Sequence, residues 1–202
     1  MRKIVFYGDS NTYGYDPADP YDQRFPREKR WTAIVSERLG GRFQVMPEGM
    51  NGRKLPDLTY EQGYLAGLVS KAGTDGIFCT MLGTNDILLT EMPDASPVIR
   101  KMEKYVDYLK IKMDPHQILI IAPPLIGSGK PTDPLLERYH NESRKMNDAF
   151  RVITKEQGVM FADSSKWGIE LAYDQVHFSE EGHRVFAGKV TDLIIDVCEG
   201  ER

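Results

Sequence analysis

Residues 3–12 read Lys-Ile-Val-Phe-Tyr-Gly-Asp-Ser-Asn-Thr. The run Lys3–Tyr7 has strand length and is apolar from Ile4 onward. It stops at Gly8 and passes into small polar residues. A strand buried on both faces of a parallel sheet reads this way, and the polar residues then lie at its carboxyl end. Further runs of similar length follow at Phe43–Met46, Gly76–Leu82, Gln117–Ala122 and Gly158–Ala162. Between them the apolar residues recur with helical spacing: Trp31, Ile34, Val35 and Leu39; Tyr64, Leu65, Leu68 and Val69; Ile99, Met102, Val106, Leu109 and Met113; Tyr139, Met146, Phe150 and Ile153; Phe186, Val190, Leu193 and Val197. Such stripes are the core-facing sides of amphipathic helices. Strands alternating with helices predict βαβ units, a parallel sheet and helices on both faces.

Composition sets the outer bounds. The 202 residues suit one domain, 1–202, and no linker or internal repeat divides them. Hydrophobic residues at 41% and charged residues at 28% exclude a disordered, collagenous or disulfide-framed chain. A net charge of −4 argues against a nucleic-acid partner, which rewards a basic stripe. Two cysteines, Cys79 and Cys198, are too few for a zinc site or a disulfide framework. The apolar run at the start, Ile4–Tyr7, is too short for a signal peptide or a membrane span, so a cytoplasmic location and no membrane partner are expected.

In open parallel sheets ligands bind beyond the carboxyl ends of the strands. After the first strand stands Gly8-Asp9-Ser10-Asn11-Thr12, and after the second Glu48-Gly49-Met50-Asn51-Gly52-Arg53. After the third stands Gly83-Thr84-Asn85-Asp86, and after the fourth Pro123-Pro124. Some way past the fifth comes Asp174-Gln175-Val176-His177. A hydroxyl nucleophile needs a neighbouring base, and the base needs a group that orients it. Ser10, His177 and Asp174 fill these roles. Acyl transfer also needs donors for a developing oxyanion, for which the N–H groups of Ser10 and Gly52 and the side-chain amide of Asn85 are candidates. Plainer readings exist for each: Ser10 as a helix cap, Asn85-Asp86 as an Asx turn, Gly52 as a turn glycine. Asp86 is expected to be structural, Asp9 to shape the turn, and Arg53 to line the site or pair with a carboxylate. His116 and His140 are expected at the surface, and His183 in a capping or packing role.

In this order these blocks resemble the SGNH hydrolase superfamily, the GDSL esterases. Glu48–Arg53, Arg30-Trp31 and Ala122-Pro123-Pro124 are similar to its bacterial arylesterase and acyltransferase branch. The resemblance implies a flavodoxin-like three-layer α/β/α sandwich with a five-stranded parallel sheet. It implies an esterase acting on small short-acyl or aryl esters, with no cofactor or metal, and a homo-oligomer. Its triad would be Ser10, Asp174 and His177, and its oxyanion hole Ser10, Gly52 and Asn85. The chain departs from the family pattern at Asn11, where leucine is usual; an altered pocket floor is the expected consequence.

Other patterns fail. Gly127-Ser128-Gly129-Lys130 lacks the flanking residues of a phosphate loop, because Pro124 and Pro131 stand where Gly and Ser or Thr are required. No Gly-x-Gly-x-x-Gly, His-Glu-x-x-His or Gly-x-Ser-x-Gly occurs in the chain. Two long loops, 14–29 and 123–134, remain. Tyr13, Tyr15, Tyr21, Phe25 and Trp31, in or beside the first, would either rim a substrate pocket or pack the loop down. Rival readings are a carbohydrate O-deacetylase with the same machinery and a non-catalytic flavodoxin-like binding module.

Overall fold

A computed structural model describes residues 1–21, 23–90, 92–127 and 133–199. Its strands are β1 (Arg2–Gly8), β2 (Phe43–Gly49), β3 (Ile77–Met81), β4 (Ile118–Ala122) and β5 (Met160–Asp163). They form one all-parallel sheet in the order β2-β1-β3-β4-β5. The helices are α1 (Ser10–Tyr13), α2 (Trp31–Leu39), α3 (Gln62–Ala72), α4 (Thr84–Leu88), α5 (Ser96–Lys112), α6 (Pro134–Gln157) and α7 (Glu180–Glu199).

Alternation along β1 generates the layers. Ile4 and Phe6 face a core shared with Trp31, Val35 and Leu39 of α2 and with Phe186, Val190 and Ile194 of α7. Val5 and Tyr7 face the other core, built with α3, α5 and α6 around Leu65, Met102, Val106 and Phe150. A strand buried on both faces must be apolar at consecutive positions, which is why Ile4–Tyr7 shows no polar alternation. Each large side chain so buried contributes about 1.5–3 kcal/mol of transfer free energy. The expected three-layer α/β/α arrangement and five-stranded parallel sheet are therefore present.

Some boundaries differ from the expectation. β2 runs on past Met46 through Pro47 to Gly49, each residue paired with β1. β2 is an edge strand, and an edge tolerates a proline that a central strand would not. On α3, Tyr64 is exposed while Leu65, Leu68, Val69 and Ala72 form the buried stripe. Ser128, Gly129 and Lys130, the heart of the rejected phosphate-loop pattern, lie outside the described residues. Among the described residues no helix is long and apolar enough to cross a membrane.

The register fixes where the loops emerge. Gly8 pairs with Gly49 on one side and with Met81 on the other. The chain segments following β1, β2 and β3 therefore leave the sheet at one level. β1 has β2 on one side and β3 on the other, so the chain reverses its direction of sheet growth there, the place where ligand crevices form in open α/β sheets.

Candidate active site

Ser10 follows Gly8 and Asp9 and is the first residue of α1. Asp9, and not Ser10, caps this helix: its Oδ1 accepts the Asn11 N–H at 3.0 Å. The Ser10 hydroxyl is thus left for another partner, and its Oγ lies 3.0 Å from His177 Nε2. The turn is tight enough to dictate glycines around it. A Cβ on Gly49 would sit 2.1 Å from the Tyr13 backbone nitrogen, so α1 can rest on β2 only if residue 49 has no side chain. Burial pushes the Asp9 carboxyl up to about 6, against the opposing hydrogen bond from Asn11.

His177 is carried on the segment between β5 and α7. Asp174 Oδ2 lies 2.6 Å from His177 Nδ1. Its other oxygen accepts the N–H groups of Val176 at 3.0 Å and His177 at 2.9 Å. Burial works to raise the Asp174 carboxyl, but the hydrogen bonds from the His177 ring and from these two N–H groups outweigh it, and the group is held below the ordinary aspartate value. An ionised carboxylate only accepts hydrogen bonds. Nδ1 is therefore the ring nitrogen that donates to Asp174, and in the neutral ring Nε2 is the acceptor that faces the Ser10 hydroxyl. The turn that makes this possible places Gln175 at φ 63°, in the left-handed region that non-glycine residues seldom occupy.

The other side of the site is built from backbone. Gly52 has φ 72° and is exposed, at the tip of a turn closed by the Arg53 N–H on Met50 O at 3.2 Å. Arg53 is buried. Its Nη1 donates to Gly8 O at 2.9 Å and to Glu48 O, and its guanidinium lies 4.4 Å from the centre of the Tyr7 ring. Among the described residues it forms no ion pair with a carboxylate, the alternative expected for it; it ties the ends of β1 and β2 to the turn that bears Gly52. Asn85 Nδ2 donates to Arg53 O at 3.1 Å, and a primary amide nitrogen carries two donor hydrogens. Buried Asp86 accepts the Leu55 N–H at 2.8 Å and Lys101 Nζ at 3.0 Å, the structural role expected of it. Burial raises its carboxyl despite these contacts.

The aromatic residues of the first long loop divide. Tyr15 lies over the His177 ring, with centroids 4.5 Å apart. Phe25 and Trp31 are buried, Phe25 against His183 and Trp31 against Phe6 and Phe186. Tyr13 carries the Arg24 guanidinium on its face, and Tyr21 is exposed. Packing thus accounts for most of the set, and Tyr15 is the member that reaches the site. His183 is fully buried, in a packing role; burial, helped by the charges of Arg30 and His177, pushes its pKa down to about 3. His116 is exposed as expected. His140 is half-buried, its Nδ1 within 3.0 Å of the carbonyls of Ile126 and Gly127. At Asn11, where the chain departs from the family's leucine, the side-chain amide bonds to the backbone of Val176 and Phe178.

The model of the GDSL-like lipase/acylhydrolase family matches residues 6–185. The chain belongs to that family. This bears out the resemblance to SGNH hydrolases and makes the protein a carboxylic ester hydrolase. No curated protein matches it by sequence. Solved structures of the same fold include a carbohydrate acetylesterase from Sinorhizobium meliloti, at 20% identity and a TM-score of 0.80 over 98% of this chain and 100% of that one. They also include the native aryl esterase of M. smegmatis, at 20% identity and a TM-score of 0.79 over the same shares. A variant of an acetyl-xylooligosaccharide esterase from Geobacillus is 18% identical, with a TM-score of 0.70 over 94% of this chain and 92% of that one.

Proposed function

We propose that this family member is a serine esterase that cleaves small carboxylic esters, short-acyl or aryl, through an acyl-enzyme on Ser10. The observation that carries the reading is the unbroken path from Ser10 Oγ to His177 Nε2 at 3.0 Å and from His177 Nδ1 to Asp174 at 2.6 Å. Nucleophile, base and orienting carboxylate are thereby within hydrogen-bond reach of one another.

In the first half-reaction, Ser10 Oγ forms a bond to the ester carbonyl carbon while its proton passes to His177 Nε2. The Asp174 carboxylate stabilises the imidazolium that results. The tetrahedral oxyanion takes hydrogen bonds from the N–H groups of Ser10 and Gly52 and from the Asn85 amide. The bond to the leaving alkoxide then breaks, and His177 gives it the proton. In the second half-reaction, a water molecule loses a proton to His177 and attacks the acyl carbon; the acid leaves and Ser10 regains its proton. An alcohol in place of that water yields a new ester, so acyl transfer uses the same site. The same reading includes a homo-oligomer assembled through the first long loop, where Tyr21 is 95% exposed.

Wild-type protein is expected to hydrolyse p-nitrophenyl acetate, and Ser10→Ala to lose that activity while keeping its fold. Equal hydrolysis by both would remove Ser10 from the mechanism. A carbohydrate O-deacetylase is the second reading, supported by the likeness of fold to a carbohydrate acetylesterase. It is favoured over the first if acetate release from an acetylated xylooligosaccharide far exceeds that from aryl acetates.

A further inference from the structure

Asn11 stands next to the nucleophile in the chain and is buried. Its side-chain Nδ2 donates to Val176 O at 3.3 Å, and its Oδ1 accepts the Phe178 N–H at 2.8 Å. These are the peptide groups on either side of His177. A primary amide offers one donor end and one acceptor end, so a carbonyl on one side and an N–H on the other fix its orientation without ambiguity. Leucine, the usual residue of this family at the position, has neither end.

Asn11 is itself held on both sides of its own backbone. Its N–H donates to Asp9 Oδ1 at 3.0 Å, and its carbonyl accepts Trp31 Nε1 at 2.9 Å. Asp9 and Trp31 are both buried, as is Phe178. The clamp is therefore anchored in the α2–α7 core and reaches across 165 residues of sequence to the Val176 carbonyl. The His177 turn needs such an anchor. It contains the left-handed Gln175. Its other described backbone ties include His177 O accepting from Ala172 N, within the same segment, and Gln175 O accepting from Gly127 N, in the loop after β4; neither runs to α1. A strained turn keeps its geometry when surrounding contacts over-determine it.

We propose that Asn11 is a positioning residue: by gripping the backbone on both sides of His177, it sets the placement of the His177 ring against the Ser10 hydroxyl. This rests on the esterase reading for its kinetic consequence but not for its geometry. Because Ser10 and Asn11 are consecutive, the nucleophile and the clamp on the base move as one body. Small errors in such placement are costly, about 10²-fold for a displacement near 1 Å.

The test compares wild type with Asn11→Leu, which removes the amide, and Asn11→Asp, which keeps an acceptor for the Phe178 N–H and loses the donor to Val176 O. Turnover of p-nitrophenyl acetate is measured with the proton resonance of His177 Nδ1 and the circular dichroism spectrum. Asn11→Leu is expected to lower kcat by about 10²-fold with KM changed less than about threefold, and to shift or broaden the Nδ1 proton signal. Asn11→Asp should fall between it and wild type, and it serves as the working variant if Asn11→Leu does not fold. A folded variant with wild-type kcat and an unmoved Nδ1 signal overturns the inference. Absence of Ser10-dependent turnover in wild type would instead overturn the esterase reading, and the Nδ1 signal would still decide the clamp.

Discussion

The two sides of the site are made differently. On the relay side, Ser10, His177 and Asp174 meet through their side chains, and the proposed chemistry is carried by those side chains. On the donor side, the group proposed to act at Gly52 is a backbone N–H, and the side chains nearby serve as braces. Arg53 ties the turn to β1 and β2, Asn85 bonds to the Arg53 carbonyl, and Asp86 bonds to the Leu55 N–H. A side-chain relay fails when one atom is replaced. A backbone donor fails when the loop that aims it moves. The two sides should therefore answer differently to substitution.

Asp174→Asn should give the largest loss among substitutions that leave Ser10 and His177 in place. An amide that donates to Nδ1 would favour the wrong imidazole tautomer, and kcat is expected to fall by about 10⁴-fold. A steady-state assay on the folded variant checks this; a loss below tenfold would mean that Asp174 does not set the tautomer. On the donor side, Asn85→Ala removes one of the three proposed donors and leaves the other two. The expected fall in kcat is about 10²–10³-fold. A change smaller than threefold would take Asn85 out of the site and leave its bond to Arg53 as its whole role.

His183 sharpens the contrast from outside both sides. It lies six residues from His177 yet is fully buried, with Nδ1 accepting the Trp31 N–H and Nε2 unpartnered among the described residues. Its pKa is pushed from 6.5 down to about 3 in the folded chain. The neutral form is the one the fold accommodates. Its contribution to stability is full above about pH 6.5, the unfolded value, and is lost as the pH falls toward 3. Over that window the wild type should lose up to about 1.4 kcal/mol per pH unit more than His183→Phe, as measured by denaturant unfolding at a series of pH values. Parallel curves would show that His183 does not stay neutral in the fold.

The residues proposed for the relay and donor sides were picked out by short local signals. Asp174 and His177 are three residues apart, and Ser10, Gly52 and Asn85 each follow an apolar run. The sheet was legible for the same reason, since continuous burial leaves a continuous apolar run. What stayed hidden depends on which backbone groups the fold brings beside a side chain. Arg53 offered no sign that its partners would be the carbonyls of Gly8 and Glu48. The apolar run Phe43–Met46 stopped short of Pro47, whose place in β2 depends on that strand lying at an edge, a fact of sheet order. Asn11 did leave a trace, as an amide where leucine is usual. Its partners, however, lie 165 and 167 residues away, and no local pattern points to them.

On the proposed mechanism, Ser10 forms the covalent intermediate. Mass spectrometry of the protein quenched during turnover of p-nitrophenyl acetate, followed by peptide mapping, detects that species. An acetyl group is expected on the peptide containing Ser10, and none in Ser10→Ala. Turnover by wild type and Ser10→Ala alike, with no adduct on that peptide, would contradict that mechanism.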